Sequence, residues 1–188
     1  MAVKQRKCKN CRQPFTPARS TQIACGVDCA MALAHERKVK LAECDRLDTV
    51  RKDRARKERL KTRRDWEKEA QAAFNAWVRL RDADKPCISC GRRHEGQYHA
   101  GHYLSVGARP ELRYEPLNVW KQCAPCNTHL SGNAVLFRQA LVREIGLDRV
   151  EWLEGPHPAK KYTADELRAI RDLYRAKLRE LVKERANG

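Results

Sequence analysis

The longest helical pattern of the chain runs through residues 30–83. The stretch contains no glycine or proline and is dense in Ala, Leu, Glu, Lys and Arg, which favour helix. In its middle, residues 51–64 include nine basic and two acidic side chains, and Leu60 is the only large apolar one. No core can form on that segment. It is therefore a solvated helix, a disordered basic linker or a helix that lies along a phosphate backbone, and charge alone does not separate these.

The end of this stretch has a different pattern. Its apolar side chains recur at helical spacing and make one stripe, formed by Trp66, Ala70, Ala73, Phe74, Trp77 and Val78. We expect the stripe to be core that packs on the module that follows. The sequence Asp84-Lys85-Pro86 then predicts the end of the helix, because the residue before proline disfavours helical geometry.

Shorter elements follow. Two strands are predicted within residues 97–105 and 112–120, and a helix with apolar positions from Leu136 to Ile145 is predicted to stop at Gly146. A short helix over residues 147–153 comes next. Thr163 and Glu166 form a capping box that opens a last amphipathic helix, whose stripe indicates either intramolecular packing or a dimer seam. The predicted fold class is thus a small α+β protein.

Cysteines indicate how so small a fold is stabilised. Eight of the nine fall into two sets of four, each made of two closely spaced pairs, and four thiolates complete one tetrahedral Zn²⁺ site. The sets are Cys8, Cys11, Cys25 and Cys29, then Cys87, Cys90, Cys123 and Cys126. We therefore predict two structural zinc ions per chain. Cys44 has no partner at ligand spacing and is expected to be an ordinary thiol.

The net charge of the chain limits the classes of partner that it is expected to bind. A formal net charge of +16 favours a polyanion, either nucleic acid or an anionic membrane surface. No basic helix here carries a broad Trp, Phe and Leu face, so the membrane is the weaker alternative. No apolar run is long enough to cross a bilayer, and the first residues lack the apolar core of a signal peptide. A cytoplasmic protein is expected, in which paired cysteines bind metal instead of forming disulfides.

Between and just after the second cysteine set lie polar side chains that a zinc site does not need. They are His99, His102, Asn118, Asn127 and His129. A neutral imidazole near pH 7 is suited to general-base catalysis. Since four cysteines already satisfy the zinc, these side chains are not needed as further ligands, and they are either the working groups of a site or purely structural residues.

The arrangement resembles an HNH endonuclease. It has a CxxC pair, a strand bearing a histidine, an asparagine shortly before the second CxxC pair, and a polar residue after it. The segments AGHYLSVGARPELRYEPLN and QCAPCNTHLSGN are more similar still to the NinG family of lambdoid phages, and the resemblance extends over essentially the whole chain.

The resemblance implies a ββα-metal (treble-clef) core and an endonuclease that acts on branched DNA, such as Holliday junctions and D-loops, in phage recombination. His102 matches the general base, and Asn118 matches the asparagine that orients the base or its loop. A Mg²⁺ or Mn²⁺ cofactor would lie at the third position, which is Asn127 here where many members have histidine. His129 is a competing ligand two residues on.

The chain differs from the HNH pattern at one further position, directly before the base. Many HNH proteins place a metal ligand there, and this chain has Gly101. His99 lies three residues before His102, on the opposite face of a regular strand. A β-bulge at Gly101 would bring both histidines into one site, with His99 as a ligand.

The predicted organisation has four parts. Residues 1–30 are the N-terminal zinc module, 31–85 a long basic helical arm, 86–155 the nuclease core and 156–188 the C-terminal helix. The N-terminal module is either a phosphate-contacting element or a structural cap. Branched DNA is the expected partner, with a homodimer favoured by paired nicking and with phage or host recombination proteins as further candidates. The alternatives are a non-catalytic zinc-finger protein that binds nucleic acid, or a protein that binds or cleaves RNA.

Overall fold

The chain divides after Leu60 into two units. A computed structural model describes residues 4–187 of the chain. In the first unit, strand β1 (Arg6–Lys7) pairs antiparallel with β2 (Pro14–Phe15), and helix α1 (Val27–Arg59) follows. None of the 33 residues of α1 is buried, and Leu33 near its start is half-buried.

The second unit contains four helices and one two-stranded antiparallel sheet among its described residues. Helix α2 begins at Arg63 because Thr62 caps it: the Thr62 hydroxyl accepts from the backbone N–H of Asp65, whose carboxylate accepts from the backbone N–H of Thr62. The elements are α2 (Arg63–Arg81), β3 (Tyr98–His102), β4 (Val119–Cys123), α3 (Ala134–Ile145), α4 (Leu147–Glu154) and α5 (Ala164–Asn187).

One face of the sheet packs on α2 and α5. The predicted apolar stripe of α2 lies in this core, with Trp77 half-buried at its margin, which confirms the prediction that the stripe is core. The rings of Phe74 and Tyr174 meet edge to face, with centroids 4.7 Å apart, and Val119 of β4 lies against them. Leu167 and Tyr174 of α5 are buried here too, so its stripe packs within the chain.

The other face of the sheet packs on α3 and α4. Trp120 of β4 contacts a second cluster that includes Phe137, Leu141 and Leu153. The prediction that a helix ends at Gly146 is confirmed, and the φ of +85° at Gly146 lies in the region that glycine adopts most easily. The hairpin is therefore held between two apolar layers.

Buried ionic contacts fix the end of α2 to the sheet. Asp82 is 2% exposed and pairs with Arg81, while one carboxylate oxygen accepts from the backbone N–H of Lys121 at 3.1 Å. Arg81 also donates to the backbone carbonyls of Pro116 and Val119. These bonds satisfy charges that would otherwise be costly to bury.

Two sequence predictions need correction. The second strand lies at Val119–Cys123 and not within residues 112–120, because Pro110–Leu112 forms a short 3₁₀ turn and Pro116 interrupts the segment before the strand. The predicted arm is two helices instead of one, since the chain leaves helix at Leu60 and restarts at the Thr62 cap. The four domain boundaries stay a prediction. Among the described residues, no helix is both long and apolar enough to span a bilayer.

Candidate metal centres and active site

The four sulfur atoms of Cys8, Cys11, Cys25 and Cys29 converge in the first unit and lie within 4.8 Å of one another. The Cys25 sulfur is 3.6 Å from that of Cys11 and 3.6 Å from that of Cys29. The hairpin of β1 and β2 presents the first pair, and the second pair lies at the start of α1. The predicted N-terminal cysteine set is thus assembled.

The second set is assembled in the same way. The sulfurs of Cys87, Cys90, Cys123 and Cys126 also lie within 4.8 Å of one another, and those of Cys90 and Cys123 are 3.9 Å apart. Zinc–sulfur bonds of about 2.3 Å in a tetrahedron place ligand sulfurs about 3.8 Å apart. Both clusters therefore have the ligands and the separations that structural Zn²⁺ requires. Cys44 is exposed and outside both clusters.

Backbone N–H groups stabilise the first sulfur of each cluster in matching positions. The N–H of Cys25 donates to Cys8 Sγ at 3.4 Å, and the N–H of Cys123 donates to Cys87 Sγ at 3.3 Å. Burial raises the pKa of the Cys8 thiol, but backbone donors, including the N–H groups of Cys11 and Cys25, outweigh it and lower the pKa to about 6. Donors of this kind favour the thiolate, which is the form that binds zinc.

His94 lies beside the second cluster. Its Nε2 atom is 3.3 Å from Cys90 Sγ, and its backbone N–H donates to the hydroxyl of Tyr98. The sequence places His94 in no ligand pattern and so predicts an ordinary surface residue. The half-buried ring instead contacts a cysteine sulfur of the second cluster, and the backbone N–H of Cys87 donates to the carbonyl of Arg92, which brings the residues after Cys90 back towards the cluster.

His99 and Asn127 come together in the second unit. The side-chain nitrogen of Asn127 is 2.9 Å from His99 Nδ1. His99 lies in β3 opposite Gln122 of β4, and Asn127 lies in the wide helical turn Pro125–His129 that follows β4. Two residues 28 positions apart, each a candidate ligand for a divalent cation, are thereby neighbours. His129 is exposed in the same turn.

His102 is half-buried at the end of β3, and its Nε2 atom is 3.0 Å from the backbone carbonyl oxygen of Arg113. A carbonyl accepts only, so Nε2 carries the proton and Nδ1 keeps the free lone pair of the neutral ring. Burial lowers the pKa of His102 below its ordinary value of 6.5; the carbonyl of Arg113 raises it and the guanidinium of Arg113 lowers it, both to a lesser extent. The neutral ring is thus favoured.

Asn118 fixes the loop that supplies this carbonyl. It is fully buried, and its amide nitrogen donates to the carbonyls of Leu104 at 3.0 Å and Leu112 at 3.2 Å. Its side-chain oxygen accepts from the backbone N–H of Leu104. One side chain therefore ties both ends of the loop between β3 and β4 together. Arg113, which sequence reasoning missed, is held in turn by Glu67 and Gln71 of α2.

The predicted β-bulge at Gly101 is wrong. The pairing of β3 with β4 is unbroken from Tyr98 to His102, with Gly101 opposite Trp120, so His99 and Gly101 share one face and His102 points to the other. Glycine is required at this position for a different reason, because a Cβ atom there would lie 2.1 Å from Gln122 Oε1. Among the described residues, that oxygen is the one buried side-chain atom found without a hydrogen-bond partner.

The unbroken register also determines on which face of β3 His99 lies. A residue directly before the base, such as position 101, faces away from the base in any regular strand. His99 is two residues before Gly101 and lies on that same face. His99 and His102 therefore lie on opposite faces of β3.

Comparisons with known proteins match nearly the whole length of the chain. A family model described as the bacteriophage lambda NinG protein matches residues 1–184. The chain is 40% identical to protein ninG of Salmonella phage P22 and 40% identical to protein ninG of Escherichia phage lambda, over 98% of this chain and 97% of each relative. Protein ninG of Escherichia phage 933W is 41% identical with the same coverage. No solved structure matches the chain.

Proposed function

This chain belongs to the NinG family of phage proteins, and from its site we propose that it is a metal-dependent endonuclease that cleaves branched DNA. The substrates would be Holliday junctions and D-loops that form during phage recombination in the host cytoplasm. The observation that carries the proposal is the environment of His102: a half-buried ring whose burial favours the neutral form, whose Nε2 atom is bonded to the Arg113 carbonyl, and whose Nδ1 atom has no hydrogen-bond partner among the described residues.

In the proposed reaction, Nδ1 of His102 accepts a proton from a water molecule as the water oxygen bonds to the scissile phosphorus. The bond from phosphorus to the 3′ oxygen breaks, and that oxygen is protonated from solvent. The carbonyl of Arg113 holds the ring and stabilises the imidazolium that forms, while Asn118 holds the loop that carries this carbonyl. Asn118 is therefore a positioning residue in this account, because it does not contact the reacting atoms.

His99 and Asn127 are the proposed ligands for an exchangeable cation, with His129 as an additional candidate. Their side-chain atoms lie 2.9 Å apart, and two neighbouring ligands about 2.1 Å from an octahedral ion lie about 3.0 Å apart. Rotation of the Asn127 amide by 180° would present its oxygen to the ion beside His99 Nδ1. A Mg²⁺ or Mn²⁺ ion held there would offset negative charge on the phosphate and the departing oxygen.

The order of strand, strand and helix around the second cysteine cluster supports assigning this region to the ββα-metal, treble-clef class. β3 supplies His99 and His102, β4 ends in the Cys123 ligand, and the following turn supplies Asn127. A homodimer would suit paired cuts across a junction, and phage or host recombination proteins would be suitable partners for the product.

Cleavage of a synthetic four-way junction tests the proposal. Purified protein with Mg²⁺ should nick the junction, and an EDTA control should not, while a linear duplex of the same sequence should be cut far more slowly. Double-stranded RNA as a competitor separates DNA from RNA preference. Equal cleavage with and without the chelator would contradict the metal requirement, and no cleavage of any DNA would contradict the nuclease function.

A second candidate function has its own support. Helix α1 has no buried residue and carries the dense basic segment of residues 51–59, as expected for a helix that contacts phosphates and does no packing. A zinc-stabilised protein that binds nucleic acid without cutting it would also have two four-cysteine clusters and this helix. In that case the junction would be bound in the assay above and remain intact.

A further inference from the structure

A cationic cleft lies next to the loop that holds His102. Side chains from three segments of the second unit enclose a cavity of about 430 Å³. The start of α2 contributes Arg63 and Glu67, the loop between β3 and β4 contributes Arg113, and the segment before α5 contributes Lys160, Lys161 and Tyr162. The cavity has the size of a typical ligand site.

Positive charge exceeds negative charge in this cleft. Glu67 is the one acidic side chain on the lining, and its carboxylate is already shared between Arg63 at 2.8 Å and Arg113 at 2.5 Å. Lys160 pairs with Glu166, outside the lining, at 2.8 Å. Lys161 is exposed and has no ion pair or hydrogen bond among the described residues. Two positive charges remain even when Glu166 is counted.

Contacts of Tyr162 fix the cleft to the loop that bonds His102. The hydroxyl of Tyr162 donates to the backbone carbonyl of Glu111 at 3.0 Å, and its ring meets Tyr114 edge to face with centroids 5.1 Å apart. Both partners flank Arg113. Arg113 itself belongs to both places: its guanidinium lines the cleft and its carbonyl oxygen accepts from His102 Nε2.

We propose that this cleft binds a backbone phosphate of the DNA strand that is cut, and so places the adjoining phosphodiester beside His102. The inference rests on the proposed nuclease function and adds a substrate-positioning site to it. Arg113 already donates from Nε to Gln71 and from Nη1 to Glu67, so Nη2 is the nitrogen expected to donate to a phosphate oxygen, and Lys160 and Lys161 supply positive charge. The ligand class is a phosphodiester in a strand, not a free nucleotide.

The test measures binding in EDTA, so that its outcome does not depend on cleavage. A fluorescent four-way junction is titrated with wild type, with Lys160→Gln/Lys161→Gln and with the control Arg179→Gln/Lys183→Gln. The control removes the same charge from exposed positions of α5 roughly 22 to 28 Å along the helix from its first residue. We expect about tenfold weaker binding and a salt slope smaller by up to about 1.8 for the cleft variant, with less than a twofold change for the control.

Single phosphates of the junction are then replaced by neutral methylphosphonates. Replacement of one phosphate next to the cut should weaken wild-type binding severalfold and should have a smaller effect on the lysine variant, in which Arg113 is the one proposed contact to that phosphate that is left. If the cleft and control variants lose the same affinity, or if every methylphosphonate effect persists in the lysine variant, the cleft is not a phosphate site. A junction that is bound through the cleft yet never cut would contradict the nuclease proposal while supporting the cleft.

Discussion

At the scale of single residues, the proposed role of His102 requires that Nδ1, and not Nε2, is free to accept a proton. The sequence indicates the imidazole and its resemblance to a catalytic base, but not the acceptor that sets its tautomer. That acceptor is a backbone carbonyl eleven residues away, and Asn118 holds it in place with bonds to Leu104 and Leu112. The tautomer of His102 is therefore set by a loop and not by a neighbouring carboxylate.

A pH profile tests the environment of His102. Burial lowers the pKa of this group in the folded protein below 6.5, so the neutral base persists to lower pH than for a free histidine. The acid limb of kcat/KM should therefore have its midpoint below 6.5, with a plateau above it. The stability of the fold should change with pH in the same direction. The free energy of unfolding should fall as the pH drops through 6.5 towards the folded pKa, because the unfolded state binds the proton more readily than the folded state. A midpoint above 6.5 would contradict the burial assigned here.

Gly101→Ala tests the close approach of the two strands. The new methyl carbon would lie 2.1 Å from Gln122 Oε1, and that amide is pinned because its nitrogen donates to Ser89 and Gly132. We expect a loss of about 1–3 kcal/mol in the free energy of unfolding, measured by urea denaturation. The control is Gly107→Ala, where no atom lies within 4 Å of the new carbon. Equal stability of the two variants would refute the steric role of Gly101.

At the scale of elements, helical periodicity and capping signals predict more than strand patterns do. The stripe of α2 and the stop at Gly146 follow from side chains that recur on one face and from a residue that tolerates positive φ. The second strand was misplaced because residues 112–120 have apolar character, yet Leu112 and Tyr114 are buried through turns and not through a ladder. The break between α1 and α2 needs one threonine cap, which a dense helical composition conceals.

The basic segment of α1 carries a prediction of its own. Arg54, Arg56, Lys57 and Arg59 should contact phosphates, because no packing explains them. Replacing all four with glutamine should weaken binding to junction and linear DNA alike and reduce the salt slope by up to about 0.9 for each lost contact. Circular dichroism checks that the helix persists. An unchanged slope in a folded variant would mean that the segment is only a solvated helix.

At the scale of the whole molecule, two four-cysteine clusters stabilise units that otherwise have little sheet. The cysteine spacing predicts both sets from sequence alone, since ligand identity and number follow from the residues themselves. The matching N–H bonds to Cys8 and Cys87, and the contact of His94 with Cys90, could not be predicted. Those contacts depend on how each chain segment turns after its first pair of cysteines.

Metal content and folding test this description together. Native metal analysis should give close to two zinc ions per chain. Cys123→Ser should lose one of them and unfold the second unit, because structural zinc contributes on the order of 10 kcal/mol of folding free energy. The control is Cys44→Ser, an exposed thiol outside both clusters, which should keep two ions and full stability. One zinc ion in the wild type, or a folded Cys123→Ser protein, would contradict the assignment of two structural sites.

The central claim is that His102 is the base of a nuclease, and the single-turnover cleavage rate of a labelled junction by His102→Ala tests it most directly. The variant should bind the junction as wild type does and cut it at least about 100-fold more slowly, with no rescue by high Mn²⁺. His99→Ala and Asn127→Ala should recover in part at high Mn²⁺, and His157→Ala, which removes another carbonyl-bonded histidine, should cut normally. Wild-type cleavage by His102→Ala, or its rescue by Mn²⁺, would contradict the claim.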